Sequence, residues 1–213
     1  MKPRMLELFS GTQRLSETFR KSGWDAVSVE LNPKLDATVH ADILSIDWRD
    51  FLERYGSFDV LWASPPCTTF SVASIGHHRM KNKETGECVA ISEDAKIGDA
   101  LLHATLDAID TLAPRYWFIE NPRAAMRTML CMKELPRYTV TYCQYGMQIM
   151  KPTDIWTNHP DPRFKPPCKN GDPCHMRSPR HNWKTGLQAL PRGAARSALP
   201  QELCDHIVEI CEE

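Results

Sequence analysis

The sequence has almost no net charge: 26 Lys and Arg stand against 27 Asp and Glu over 213 residues. A chain this balanced carries no global field for a polyanion, so any such partner must be met by a local patch. No apolar run approaches the ~20 residues of a bilayer span. The N-terminus passes from charged residues directly into an apolar segment, without the hydrophobic region of a secretory signal. A cytoplasmic, intracellular setting is therefore expected. The eight cysteines accordingly read as reduced, catalytic or metal-binding, not as a disulfide framework. There is no C-x2-C pair, no internal repeat and no long low-complexity tract. G-x-G-x-x-G is also absent, which counts against a dinucleotide site.

What is present is an alternation of short apolar runs and amphipathic stretches. Met5–Phe9, Ala26–Leu31, Ala37–Ile43, Phe58–Trp62 and Trp117–Glu120 read as strands, with later strands at 139–145 and 155–157. Helices are expected at 14–22, with Ser10 or Thr12 as cap, at 48–55, at 97–112 and at 203–210. Residues 75–96 are polar and without period, which reads as a mobile loop. The alternation predicts an α/β fold with a doubly wound, mostly parallel sheet. An apolar fraction of 42% supports one core with at most a small appendage.

The chemistry gathers at strand ends. Ala63-Ser64-Pro65-Pro66-Cys67 follows the fourth strand and presents a thiol at the carboxyl edge, where open α/β sheets bind ligands. Trp117-Phe118-Ile119-Glu120-Asn121-Pro122 ends in a carboxyl group and an amide, so Cys67 and Glu120 form a nucleophile and acid pair. The Leu8-Phe9-Ser10-Gly11 turn suits a close backbone approach by a nucleotide-like ligand. Glu30, about twenty residues on, can accept from ribose hydroxyls. Asp42 can accept from an adenine amino group or cap the next helix.

In this order the segments resemble the cytosine-C5 methyltransferases. Leu6–Gly11 resembles that family's cofactor turn, and Pro65-Pro66-Cys67 with Phe70-Ser71 its nucleophile loop. Glu120-Asn121-Pro122 resembles its Glu-Asn-Val segment, Tyr145–Gln148 with Lys151 its Gly-Gln-Arg stretch, and Ser197–Pro200 its closing Asn-Ala-Val-Pro. The resemblance implies an S-adenosylmethionine-dependent fold, with Phe9, Ser10, Gly11, Glu30, Leu31, Asp42, Ile43 and Ser64 lining the cofactor. It also implies extrusion of the target cytosine from DNA. Cys67 would attack C6, Glu120 would hold and protonate N3, Asn121 would brace the loop, and Lys151 would meet the base carbonyl or a phosphate. RNA or a free cytosine nucleotide is the alternative substrate, and a non-catalytic nucleic-acid-binding module the alternative class.

The sequence departs from the family pattern in places. The second glycine of the cofactor turn is missing, Thr68 replaces a Gln, Pro122 a Val and Lys151 an Arg. The large recognition domain is also missing, an economy of size that suits a phage-like member. Residues 1–158 are expected to form the catalytic core, 159–196 a reduced recognition insert, and 197–213 a helix completing the core. The insert holds eight Lys and Arg against Asp161 and Asp172, a polyanion-binding pattern. Arg163, Lys165, Arg177, Arg180 and Lys184 are its candidate phosphate contacts, and Phe164 and Trp183 can stack on bases. His159 reads as a solvated turn residue. Cys168, Cys174 and His175, with Cys143 from the preceding strand, have the ligand types of a Zn²⁺ site.

Overall fold

The computed structural model describes residues 2–176 and 194–213. In chain order the elements are β1 (Arg4–Leu8), α1 (Arg14–Lys21), β2 (Asp25–Glu30), β3 (Val39–His40), α2 (Trp48–Tyr55), β4 (Val60–Ala63), α3 (Ile75–His78), β5 (Arg79–Lys81) and β6 (Cys88–Ala90). They continue with α4 (Glu93–Leu112), β7 (Tyr116–Pro122), α5 (Leu130–Lys133), β8 (Arg137–Thr141), β9 (Pro152–Thr157), α6 (Ala194–Ser197) and α7 (Gln201–Cys211). Seven strands form one sheet in the order β3-β2-β1-β4-β7-β9-β8. The run from β3 to β7 is parallel, whereas β9 is antiparallel to both β7 and β8.

The central strands are apolar on both faces, as a sheet covered on both sides requires. Alternation along each strand sorts the side chains. Leu6, Leu8, Val27, Leu61 and Ile119 pack with Trp48, Phe51, Leu102 and Ile109 of α2 and α4. Met5, Val60, Trp62 and Phe118 pack with Leu15 and Phe19 of α1 and Leu203 and Ile207 of α7. Glu7 and Glu120 share the second set's parity, so both project toward the α1 and α7 side.

Three expectations are corrected. Neither Ser10 nor Thr12 caps α1; its N-cap is Gln13, in the left-handed region, with no side-chain cap. The Ser16 N–H is instead taken by the Glu7 carboxylate, 3.0 Å away on β1. The third strand shrinks to Val39–His40, because Asp42 starts a 3-10 turn by accepting from the Leu44 N–H at 3.0 Å. The stretch 75–96 is folded as α3, a β5–β6 hairpin and the first turn of α4. Asn82 builds the hairpin turn, its Oδ1 accepting from the N–H groups of Glu84 (2.8 Å) and Thr85 (3.2 Å).

Arg79 is the anchor of that hairpin. Its guanidinium is buried, 4.0 Å over the Phe70 ring, and donates to the Thr69 carbonyl (2.9 Å), the Cys88 carbonyl (3.2 Å) and Asp99 Oδ1 (2.6 Å). Gly98 of α4 makes this approach feasible, since a Cβ there would lie 2.8 Å from Thr69 Oγ1.

Candidate active site

Strand register brings the chemistry to one edge. The parallel strands deliver Phe9–Gly11 after β1, Glu30 at the end of β2, Ser64–Cys67 after β4 and Glu120 near the end of β7. Because β9 runs the other way, its start lies at the same edge, with Thr153 opposite Pro122. β8 then ends there too, with Thr141 opposite Pro152, so Tyr142 and Lys151 flank the same opening. The cleft is lined by Glu7, Phe9–Thr12, Arg14, Leu15, Ser64–Cys67, Glu120, Pro122, Lys151 and Ser197–Leu199. Arg14 donates to the Leu199 carbonyl, which ties the segment before α7 to the cleft wall.

Around Cys67 the groups interlock. Asn121, fully buried, donates through Nδ2 to the Pro65 carbonyl at 2.8 Å and so fixes the Pro-Pro turn that carries the thiol. Glu120 is buried, and its Oε1 accepts from the Tyr142 hydroxyl at 2.9 Å. Burial and the neighbouring Glu120 push the Tyr142 hydroxyl well above its usual pKa, so it stays a donor. Lys151, also buried, places Nζ 4.5 Å from the centre of the Tyr142 ring. The Cys67 thiol is pushed up by burial first and by the Glu120 charge second, with Lys151 acting in the opposite sense.

The residues expected to line a nucleotide-like ligand divide into two groups. Phe9, Ser10, Gly11 and Ser64 line the cleft. Glu30, Leu31, Asp42 and Ile43 lie outside that lining. Glu30 is linked to it, since Oε2 accepts from the Gly11 N–H and Oε1 from the Asn32 N–H, each at 2.9 Å. Leu31, 65% exposed, offers an apolar face beside Glu30. Asp42 acts as a cap, and the Ile43 side chain is committed to the core, which removes it as a side-chain contact. The turn itself is unusual: Phe9, Gly11 and Gln13 have φ of 58°, 51° and 55°. For Phe9 and Gln13 that conformation costs roughly 1–2 kcal/mol each, and such strain concentrates at ligand sites.

The model of C-5 cytosine-specific DNA methylases matches residues 3–130. A Frog virus 3 (isolate Goorha) protein named "Probable DNA (cytosine-5)-methyltransferase" is 35% identical over 162 residues, covering 73% of this chain and 70% of that one. The chain belongs to the C-5 cytosine-specific DNA methylase family. Two solved structures share its fold. One is a prophage-encoded E. coli protein described as a DNA modification methyltransferase, at TM-score 0.56 and 16% identity over 90% of this chain and 56% of that chain. The other is the Entamoeba histolytica methyltransferase EhMeth, at TM-score 0.50 and 17% identity over 74% and 52%. The chain thus spans little more than half the length of either solved structure.

Membership implies S-adenosylmethionine as methyl donor and DNA as substrate. The residues of this C-5 methylase fit the cofactor. Among the described residues the Ser10 hydroxyl is buried in the cleft wall without a hydrogen-bond partner, a polar group left for a ligand.

Glu7, read from sequence only as a strand residue, also reaches the cleft. Its carboxyl accepts from the Ser16 N–H and hydroxyl, yet burial pushes its pKa from 4.5 up to about 7. A carboxyl whose folded pKa lies above its unfolded one favours the protonated native state. Its stability contribution is full below about pH 4.5 and is lost as pH rises through 7. In the free protein, unfolding free energy is expected to fall by on the order of 2–3 kcal/mol between pH 4.5 and 8 through this group. Urea denaturation at both pH values should show that slope reduced in Glu7→Gln; an unchanged slope would remove Glu7 as its source.

The basic insert departs from expectation. Arg163 pairs with Glu213, and Lys165 donates to Glu202 at 3.1 Å and to the Gln144 carbonyl at 2.9 Å. Both candidate phosphate contacts are therefore engaged within the chain. Arg177, Arg180, Lys184 and Trp183 lie outside the described residues. Phe164 packs against the core between Tyr138 and His206. His159 is buried, not solvated: its Nε2 meets the Ile210 carbonyl at 2.9 Å and its ring lies 4.4 Å from that of Tyr116. The four expected metal-ligand residues do come together. The Sγ atoms of Cys143, Cys168 and Cys174 and a ring nitrogen of His175 all lie within 4.8 Å of one another.

Proposed function

We propose that this chain methylates C5 of cytosine in DNA through a covalent bond between Cys67 and C6 of an extruded base. The observation that carries the reading is the meeting of Cys67, Glu120 and Lys151 with the Phe9-Ser10-Gly11 turn in one cleft. Ser10, Gly11, Glu30 and Leu31 would hold the cofactor, which would supply an electrophilic methyl group. C5 of cytosine is a poor nucleophile, so the Cys67 thiolate adds to C6 and sends electron density to C5. Glu120 holds N3 and the exocyclic amine and gives a proton to N3 as the charge develops. Tyr142 orients Glu120 by donating to it, and Lys151 favours the thiolate electrostatically. After methyl transfer, loss of the C5 proton to water restores the C5–C6 double bond and expels the Cys67 thiolate, and N3 returns its proton to Glu120.

In this reading residues 1–158 are the catalytic core, 159–196 the recognition insert and 197–213 the closing wall. Arg163 and Lys165, exposed in their surface pairs, join Arg177, Arg180 and Lys184 as the phosphate contacts. So short an insert offers few side chains for base readout, which favours short or relaxed sequence specificity. The test is transfer of tritiated methyl to DNA, RNA and dCMP, beside DNA carrying 5-fluorocytosine. Label in DNA and a denaturant-resistant complex with the fluorinated strand are expected, because fluorine cannot leave C5 as the proton does. Label confined to RNA or dCMP would replace the substrate. No complex in the presence of transfer would overturn the covalent step.

A further inference from the structure

Outside the cleft, the most organised cluster of chemically active side chains is the group of three thiols and an imidazole. We propose that Cys143, Cys168, Cys174 and His175 hold a structural Zn²⁺ that staples the basic insert to the wall of the cleft. The four residues come from two segments. Cys143 sits in the 3-10 turn Tyr142–Tyr145 that follows β8, and the others lie in the chain after β9. Four of their six separations lie between 3.1 and 3.7 Å, and all lie within 4.8 Å. Cys143 Sγ lies 3.1 Å from Cys168 Sγ and 3.6 Å from Cys174 Sγ. His175 Nδ1 lies 3.7 Å from Cys168 Sγ and 3.4 Å from Cys174 Sγ. A tetrahedral zinc with the usual bond lengths spaces its sulfurs about 3.8 Å apart and sulfur from nitrogen about 3.5 Å. A disulfide would need about 2.05 Å, and it would leave a third thiol and an imidazole converging for no reason.

The surroundings suit thiolate ligands. Gln144 Nε2 donates to Cys174 Sγ at 3.4 Å, and the Cys168 N–H donates to Thr141 Oγ1 at 3.0 Å, fixing the loop against the end of β8. Metal on Nδ1 selects the Nε2–H tautomer of His175 and gives up the long 3.4 Å approach of the Gly171 N–H. Four protein ligands close the coordination sphere, which marks a structural and not a catalytic ion.

The place of the ion gives it a task. Among the described residues, no helix or strand lies between Thr157 and Met176, so that stretch has no regular structure to order it. Cys143 directly follows Tyr142, the donor to Glu120, and the Met176 N–H just past His175 donates to the Gln148 carbonyl at 2.8 Å. The cluster therefore grips the chain on both sides of the Tyr142–Lys151 wall while holding the root of the segment that carries Arg177, Arg180 and Lys184. That task rests on the DNA reading above; the metal site itself does not.

The experiment is elemental analysis and Co²⁺ substitution of the full chain, with a DNA-binding titration beside them. One zinc per chain is expected, and cobalt should give the intense thiolate charge-transfer band of a tetrahedral site. Cys174→Ser alters an exposed ligand, so the fold should survive. It should lower metal affinity at least about tenfold and weaken the cobalt band. Removing the metal with a chelator should weaken DNA binding by about tenfold or more, with S-adenosylmethionine affinity little changed. No stoichiometric metal, a Cys143–Cys168 disulfide under non-reducing mass spectrometry, or metal retained undiminished in Cys174→Ser would overturn the site. Zinc bound with DNA affinity indifferent to it would overturn the staple. Zinc bound in a protein that methylates no cytosine would sink the cytosine reading and leave the site standing.

Discussion

Cys67→Ala is expected to abolish methyl transfer, by at least ~10⁴-fold, the scale on which loss of a nucleophile acts. Among the described residues no other thiol lines the cleft, so no neighbour there can substitute. The side chain is only partly buried at the cleft edge, and Asn121 holds the loop through a backbone carbonyl of Pro65. Fold and cofactor affinity should therefore persist, which isothermal titration with S-adenosylmethionine would check. Cys67→Ser should be nearly as inactive, since an alkoxide is far harder to form than a thiolate. The pH dependence is a sharper form of the same prediction. Burial first and the Glu120 charge second push the Cys67 thiol up in the free enzyme. The thiolate is then a minor species at neutral pH. Log kcat/KM should rise by about one for each pH unit from 7 towards 9. Lys151→Met removes a charge that favours the thiolate and should move the profile to higher pH. A flat profile would mean that the reacting thiol is already ionised before the base arrives.

Glu120→Gln is expected to lower the single-turnover methylation rate by about 10²–10⁴-fold, the usual contribution of a positioned acid. The amide keeps the shape of the carboxyl and can still accept from Tyr142, so stability should change little. Tyr142→Phe separates chemistry from architecture. It leaves a buried carboxyl without its 2.9 Å donor, which should cost about 1–3 kcal/mol of stability. Its effect on rate should be smaller than that of Glu120→Gln, because the Glu120 carboxyl itself is still in place. Urea denaturation and single-turnover kinetics on the same two variants test the assignment. A Glu120→Gln enzyme with wild-type rate would remove the acid from the mechanism.

The residues legible in the sequence were those whose meaning is local. Cys67 and Glu120 end apolar strands, and strand ends at the carboxyl edge are where such sheets do chemistry. The metal-ligand types of Cys143, Cys168, Cys174 and His175 show in the residues themselves, although their convergence shows only in the fold. Glu7, Tyr142 and Arg14 were missed because each acts through a partner on another element that only the fold brings near: Glu7 on the start of α1, Tyr142 on Glu120, Arg14 on Leu199. The β5–β6 hairpin was missed because its strands are three residues each, too short to show a period. Its one signal was Asn82 four residues before Gly86: Asn82 Oδ1 closes an Asx turn with the Glu84 N–H at 2.8 Å, and the Gly86 N–H donates to the Asn82 main-chain carbonyl at 2.9 Å. Arg79 stands in the polar stretch 75–96, which shows no period. Nothing in the sequence says that a guanidinium will be buried over Phe70 and joined to Asp99.

Arg79 bears on how the nucleophile segment breathes. A buried guanidinium cannot be left half-paired, because each stranded donor carries its own desolvation penalty. Releasing Thr69 from it therefore also disturbs Cys88 and Asp99, so Cys67, the hairpin and the start of α4 should open as one cooperative unit. Native-state amide exchange followed by mass spectrometry would show residues 67–99 acquiring deuterium together, and Arg79→Lys would split that envelope into independently fluctuating parts. Separate exchange rates in the wild-type chain would mean that the nucleophile segment moves without its hairpin.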